Sequence, residues 1–454
     1  MNEMPQHLRI PTKVIDVVEK GRCPRKGNEV FEFSRDFSFS TAALESYAFA
    51  RWEEVIFDAM VVAAAIEHAD RIVKRPPRGW PRQLSVRVPV HDPDRWNDAE
   101  VISALHDAIG FLTGDYWSIS FIKRRSRAPA PPQDYLNLPV PTEAVLAYSD
   151  GMDSLAVAGL MERDLDGKLV RVRVSRKSPM RKTKGQPFTA VPYNVDCDMP
   201  NRETSARSRG FKFAMISGIA AYLTNAGKVL LPESGQGIFG PVLVPVSHGY
   251  PDYRNHPLFT NKMQRFLKVL LKKDIQYEFP QLWKTKGQSL AAFAAIDKDE
   301  MWKRTRSCWR NNQWVSIDRK RRQCGICAAC VLRRVSVHAA GLKEDADTYI
   351  CTNLSAATLE GAVDRQFTRM STAFREYAIA GILHMDHFAD LAEEDGKPII
   401  RRHAKLVAPA IGSSAQKTEK QLAELISRHR EEWTSFMSSL GARSFVRQWS
   451  RIEK

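Results

Sequence analysis

Residues 144–154 read Ala144-Val145-Leu146-Ala147-Tyr148-Ser149-Asp150-Gly151-Met152-Asp153-Ser154. The apolar run makes a short buried strand, and the Ser-Asp-Gly turn ends it. An amphipathic helix follows to residue 164. A tight turn between a buried strand and a helix start presents unpaired backbone N–H groups, and these with the helix dipole form an anion cradle. Gly151 admits a close ligand, Ser149 and Ser154 offer hydroxyls to phosphate, and Asp153 is the candidate magnesium ligand against pyrophosphate. The plainer reading is a Ser/Asp-capped helix start. The segment is not a Walker motif, since no Gly-Lys-Ser/Thr is present, and not a Gly-x-Gly-x-x-Gly turn.

The pattern of strand and helix continues outward. A second strand is expected at Leu169–Val174, an apolar helix at 211–226 and a third strand at Val229–Leu231. Strands alternating with helices imply parallel βαβ units with right-handed crossovers. Upstream, residues 1–126 read as a mixed α/β domain, with strands at 84–88 and 116–121, helices at 43–73 and 97–112, and no chemical motif. Residues 127–142, dense in proline, read as a stiff linker. The catalytic core is expected over 143–342, and 343–454 as a helical region with helices at 364–394, 417–440 and 443–451.

The chain has 454 residues, 43% hydrophobic and 26% charged, which is ordinary globular composition. Its formal charge of +16 is concentrated in 171–184, net +7, and in 302–334, net +9. Such local potential suits a polyanion: nucleotide phosphates, a carboxylate substrate or nucleic acid. The charge-free run 213–227 is too short for a membrane span and contains Ser217, Thr224 and Asn225. The N-terminal residues carry no apolar signal segment. A cytoplasmic protein with reduced thiols is the expectation.

Four of the seven cysteines cluster: Cys308, Cys324, Cys327 and Cys330 give C-x15-C-x2-C-x2-C. Thiolates two residues apart converge on one ion in a short turn, and Gly325, Ala328 and Ala329 allow that tightness. Four sulfurs match a closed tetrahedral zinc site, although this spacing also serves iron–sulfur centres. Arg304, Arg306, Arg310, Arg319, Arg321 and Arg322 would lower the thiol pKa values and offset the site's charge. Cys23, Cys197 and Cys351 read as core or surface thiols, and His248 and His256 as surface or loop histidines.

Ser149–Ser154 resembles the PP-loop, SGGxDS, of the ATP pyrophosphatase superfamily, with Asp150 where the second motif glycine usually stands. The order of the remaining pieces is similar to the 7-cyano-7-deazaguanine synthase (QueC-like) family. Arg207 stands in that family's helix-opening segment, and Gly249-Tyr250-Pro251-Asp252-Tyr253-Arg254 matches its GYPDCR. Lys286 matches its lysine after a proline, and Thr305–Trp309 with Cys324–Arg333 match its cysteine segments. The resemblance covers residues 143–342. It implies a PP-loop (adenine nucleotide α-hydrolase-like) parallel sheet with helices on both faces. It also implies ATP, Mg2+ and structural Zn2+, and the adenylation of 7-carboxy-7-deazaguanine for attack by an amine. Asp153 and Lys286 are then the catalytic candidates, and Ser149, Asp150, Gly151, Met152, Asp153 and Ser154 the ATP site. Arg207, Tyr250, Asp252 and Arg254 are then the substrate-binding candidates: Arg207, with Lys286, for the carboxylate or the developing pyrophosphate charge, and Tyr250, Asp252 and Arg254 for the base, Tyr or Arg by stacking and Asp by accepting from an amine edge.

The chain departs from a housekeeping synthase in its long C-x15-C gap, its long 233–248 link and its terminal additions. That enlargement resembles the antiphage-defence branch (Qat and type IV CBASS), which implies that the attacking amine belongs to a partner protein docked on the added domains. Free ammonia remains open as the acceptor. So do a PP-loop tRNA-modifying enzyme, with the 171–184 run on RNA phosphates, and a non-catalytic scaffold, for which Asp150 speaks. Chemistry confined to the core predicts that residues 143–342 alone cleave ATP.

Overall fold

The structure, a computed structural model, describes residues 12–20, 25–32, 36–39, 53–76, 78–127, 142–175, 191–195, 202–245, 249–309, 316–317 and 320–450. Most of the 127–142 linker and of the 171–184 basic run lies outside the described residues, as do Cys23, Cys197, His248, Arg310 and Arg319. The fold is mixed α/β, and it divides into two compact units. The first comprises residues 1–148, 165–231 and 252–278; the second comprises 149–164, 232–251 and 279–454.

The first unit holds a parallel four-stranded sheet in the order Gln276–Glu278, Lys228–Leu230, Ala144–Ala147, Leu169–Val172. Ala144, Val145 and Leu146 are buried without alternation, as a strand covered on both faces requires. The helices Arg209–Leu223 and Pro257–Leu271 pack closely, because Gly218 leaves no Cβ in the way of Leu267. Tyr277 Oη donates to the Ala214 carbonyl at 2.7 Å and fixes the sheet edge to the first of these helices. The single strand expected at 169–174 is divided. Leu169–Val172 stays in this sheet, while Val174–Ser175 pairs with Val191–Val195 in another. His256 is not the surface or loop histidine expected: it is fully buried and its Nδ1 accepts from Leu258 N–H, capping the Pro257–Leu271 helix.

A second parallel sheet, in the order Glu29–Glu32, Thr12–Val18, Gln83–Val90, Tyr116–Lys123, belongs to the same unit. The Glu54–Ile72 helix packs against it and is buried nearly all round, including Asp58, Glu67 and Asp70. Buried acids need partners. His91 N–H donates to Asp58 Oδ2 at 2.8 Å, and Lys212 Nζ lies 2.7 Å from Glu67 Oε2. Arg82, 3% exposed, serves Asp70 and Asp115: Nη2 lies 2.7 Å from Asp115 Oδ2 and also meets Asp70 Oδ1, and Nη1 donates to the Asp70 carbonyl at 2.8 Å.

The second unit is helical. It contains Met152–Leu165, Gly235–Leu243, Lys286–Ala294, Ala328–Ala339, Thr372–Asp390, Lys397–Val407, Ala415–Ser439 and Phe445–Trp449. The Thr372–Asp390 helix lies against the cysteine turn backbone to backbone. A Cβ on Gly381 would fall 2.5 Å from the Ile326 carbonyl oxygen and 2.8 Å from Ala328 N. Phe374, Ile382 and Trp433 of the C-terminal helices share one core with Cys324, Cys327 and Val331.

Replacing Arg82 with alanine would leave Asp70 and Asp115 buried without their main cation. The expected loss is about 3–5 kcal/mol, read by urea unfolding of the purified chain. A loss below about 1 kcal/mol would mean that Arg75, whose Nη1 lies 2.9 Å from Asp115 Oδ1 and Nη2 3.7 Å from Asp70 Oδ1, suffices for both acids.

Candidate active site and metal centre

The turn after the Ala144–Ala147 strand closes on itself. Ser149 N–H donates to Ser154 Oγ at 3.0 Å, the two hydroxyls lie 2.9 Å apart, and Gly151 N–H donates to Ser149 Oγ at 3.2 Å. A Cβ on Gly151 would approach Ser149 Oγ to 3.2 Å, so a side chain there would crowd that hydroxyl. The Asp150 side chain is exposed, and its carbonyl accepts from Arg306 N–H at 2.9 Å. Met152 is buried among Leu290, Phe293 and Trp302, so only its backbone can serve an anion.

Asp153 and Lys286 meet although 133 residues separate them in the chain. Lys286 Nζ pairs with Asp153 Oδ2, and Lys286 is 7% exposed. Asp153 Oδ1 is buried with no hydrogen-bond partner. An orphaned carboxylate oxygen in a polar turn fits a magnesium ion that takes its other ligands from phosphate and water. Lys286 opens its helix behind a capping box. Thr285 Oγ1 accepts from Gln288 N–H at 3.1 Å, and Gln288 Oε1 accepts from Thr285 N–H at 3.0 Å.

In the first unit, Arg254 Nε donates to Asp252 Oδ1 at 2.9 Å and Arg254 Nη2 lies 2.5 Å from Oδ2, with Arg207 Nη1 at 3.7 Å. Burial pushes the Asp252 carboxyl up, but Arg254 and Arg207 outweigh it and hold it below the ordinary carboxylate value. Arg207 lies over the Trp80 ring at 5.3 Å, and Arg75 over the same ring at 3.9 Å. Ser208 N–H donates to Asp70 Oδ2 at 2.7 Å, so the segment bearing Arg207 is fixed by residues of the N-terminal addition. Arg207, Asp252 and Arg254 thus form one cluster, while Tyr250 falls in the second unit.

The four cysteines converge. Cys308, Cys324, Cys327 and Cys330 bring their sulfurs within 4.8 Å of one another, with Cys324 Sγ 3.7 Å from Cys330 Sγ. A tetrahedral ion with bonds of about 2.3 Å sets sulfurs about 3.8 Å apart, so the donor set fits zinc. Two backbone N–H groups point at sulfur: Cys324 N to Cys308 and Cys327 N to Cys324, each at 3.3 Å. Cys351 is buried beside the turn, where its N–H donates to the Cys324 carbonyl at 3.1 Å. Fully buried Arg333 anchors the segment that leads into Cys308. It donates to Thr305 Oγ1 at 2.7 Å and to the Thr305 carbonyl at 3.0 Å, and its Nε reaches Glu344 at 2.6 Å.

Residues 233–341 match the family model described as queuosine biosynthesis protein QueC. The matched span contains Lys286 and all four clustered cysteines. It supports the QueC-like resemblance carried by the motifs, and with it the PP-loop class of fold. No curated protein matches the chain.

Sequence patterns alone do not single out Gln236, Thr285, His429 and Glu432, which form a polar network behind Lys286. The Thr-x-x-Gln capping pattern at 285–288 is the one local signal for it. A glutamate on an amphipathic helix, such as Glu432, carries no such mark.

The centre is expected to bind one zinc per chain by elemental mass spectrometry, and Cys327→Ser to lose both the metal and the cooperative unfolding of the second unit. Iron with visible absorbance, or a stable metal-free protein, would contradict the assignment.

Proposed function

We propose that this chain is an ATP-dependent carbon–nitrogen ligase, AMP-forming, that adenylates the carboxylate of 7-carboxy-7-deazaguanine for attack by an amine. The observation that carries the reading is the Lys286–Asp153 pair in the Ser149–Ser154 turn, in a chain whose residues 233–341 match the QueC model. A carboxylate is a poor electrophile. Attack of its oxygen on the α-phosphorus of ATP forms a P–O bond, breaks the bond to the β-phosphate oxygen and releases pyrophosphate. An amine then attacks the acyl carbon, its proton passes to solvent, and AMP leaves. No covalent protein nucleophile is required; orientation and charge neutralisation are the large terms.

Asp153 Oδ1 is the proposed ligand for magnesium, whose charge would neutralise the departing pyrophosphate. Lys286 adds a fixed cation at the same turn. Arg207 is the proposed partner of the substrate carboxylate or the pyrophosphate charge, and Tyr250, Asp252 and Arg254 are the proposed contacts of the base. The acceptor amine is the point on which the antiphage-branch resemblance bears. It assigns the amine to a partner protein, whereas a queuosine-pathway synthase uses ammonia.

Incubation with ATP, Mg2+, 7-carboxy-7-deazaguanine and either ammonium or the proteins encoded nearby is expected to yield AMP and pyrophosphate. Mass spectrometry then shows which acceptor gains the base. Asp153→Ala is expected to lower turnover roughly a hundredfold or more, and Ser154→Ala less, with cooperative unfolding retained in both. ADP and phosphate as products would refute the reading, and AMP release that requires RNA would favour a tRNA-modifying enzyme.

A further inference from the structure

Behind Lys286 lies a network whose hydrogen-bond directions are all fixed. Gln236 Oε1 accepts from Lys286 N–H at 2.7 Å, so its Nε2 must donate, and it does so to His429 Nδ1 at 2.8 Å. His429 Nε2–H donates to the Met385 carbonyl at 2.9 Å, which requires the neutral Nε2–H tautomer. Thr285 Oγ1 accepts from Gln288 N–H, so its single proton is free to go to Glu432 Oε1, with which it is in close contact. The remaining Gln236 donor faces Glu432 Oε2 at 3.4 Å. Gly287 makes room for this approach, since a Cβ there would fall 2.9 Å from Glu432 Oε1.

We propose that Glu432 is a positioning residue for Lys286. It fixes the Thr285–Lys286 helix start, so that Nζ is delivered to Asp153, and it does so from the Ala415–Ser439 helix, outside residues 233–341. The inference rests on the proposed role of Lys286 and Asp153 in ATP cleavage. It also gives the C-terminal addition a task in the chemistry itself.

Its ionised form suits the task. An ionised carboxylate accepts from both donors that face it, Thr285 Oγ1–H on Oε1 and Gln236 Nε2–H on Oε2, whereas protonation of either oxygen sets an O–H against one of those donors. Burial pushes the Glu432 carboxyl up to about 7. The other ionisable groups on its own helix and on the elements around it include Arg428, His429 and Glu431 on its own helix, Lys286 with its partner Asp153, His338 on the Ala328–Ala339 helix, His403 on the Lys397–Val407 helix, and His384 with Asp386 on the Thr372–Asp390 helix. Burial lowers His384, His403 and His429 to about 4. All of these groups persist in Glu432→Gln, so a difference between the two pH profiles belongs to Glu432.

The test uses the full-length chain with ATP, Mg2+ and 7-carboxy-7-deazaguanine. Glu432→Ala is expected to lower kcat for AMP release roughly tenfold or more with KM for ATP nearly unchanged. Wild-type kcat is expected to rise with pH through about 7, and Glu432→Gln to lose that limb. In parallel, acetylation of Lys286 by an amine-reactive ester, followed by peptide mass spectrometry, reads the position of Nζ without any substrate. Labelling several-fold faster in Glu432→Ala, with cooperative unfolding retained, supports the inference. If wild type releases no AMP, the proposed function fails and the labelling decides this inference alone. Unchanged Lys286 labelling, or wild-type kcat and pH profile in both variants, overturns it.

Discussion

The hydrogen bond from Arg306 N–H to the Asp150 carbonyl, 2.9 Å long, joins the phosphate turn to the metal centre. Arg306 stands two residues before Cys308, and Ser307 and Cys308 N–H both donate to Gln323 Oε1, beside Cys324. The cysteine turn in turn bears on the Thr372–Asp390 helix at Gly381. One short segment therefore ties the four-cysteine turn to the Ser149–Ser154 turn on one side, while the Thr372–Asp390 helix bears on it from the other. The other cysteines lower the Cys308 thiol, while burial raises that of Cys330. A divalent ion would take all four as ligands in their deprotonated form.

Charge is handled by pairing throughout. Lys286 faces Asp153, Arg254 and Arg207 face Asp252, and Arg82 bridges Asp70 and Asp115. Cations held in partly buried positions interact with a phosphate or carboxylate several-fold more strongly than they would in bulk water. For Lys286, on the proposed reading, the orientation given by that pairing would spare reorganisation when the substrate's charge moves. The terminal additions take part in this arrangement. Asp70 and Trp80 hold the Arg207 segment in the first unit, and Glu432 holds Thr285 in the second.

The strand, turn and helix at 144–165 are legible in the sequence because apolar runs and turn residues obey local rules. The cysteine centre is legible because four cysteines so closely spaced suit a shared metal ion. The Gly235–Leu243 helix is not. It contains two further glycines and Pro241, which local propensity reads as a loop. Gly235 is needed because Leu282 and Leu425 pack where its side chain would be, a tertiary constraint that no local pattern reveals. The Lys397–Val407 helix is hidden although its apolar positions are regular, because it lies in a strongly basic stretch. The pairing of Lys286 with Asp153, and of Thr285 with Glu432, spans 133 and 147 residues and follows from the fold alone.

The claim that a carboxylate oxygen attacks the α-phosphorus is tested most directly by isotope transfer. With 7-carboxy-7-deazaguanine labelled with 18O in its carboxylate, one 18O is predicted to appear in the phosphate of AMP for each amide formed. Label in inorganic phosphate, or AMP released without label, would contradict the adenylation mechanism.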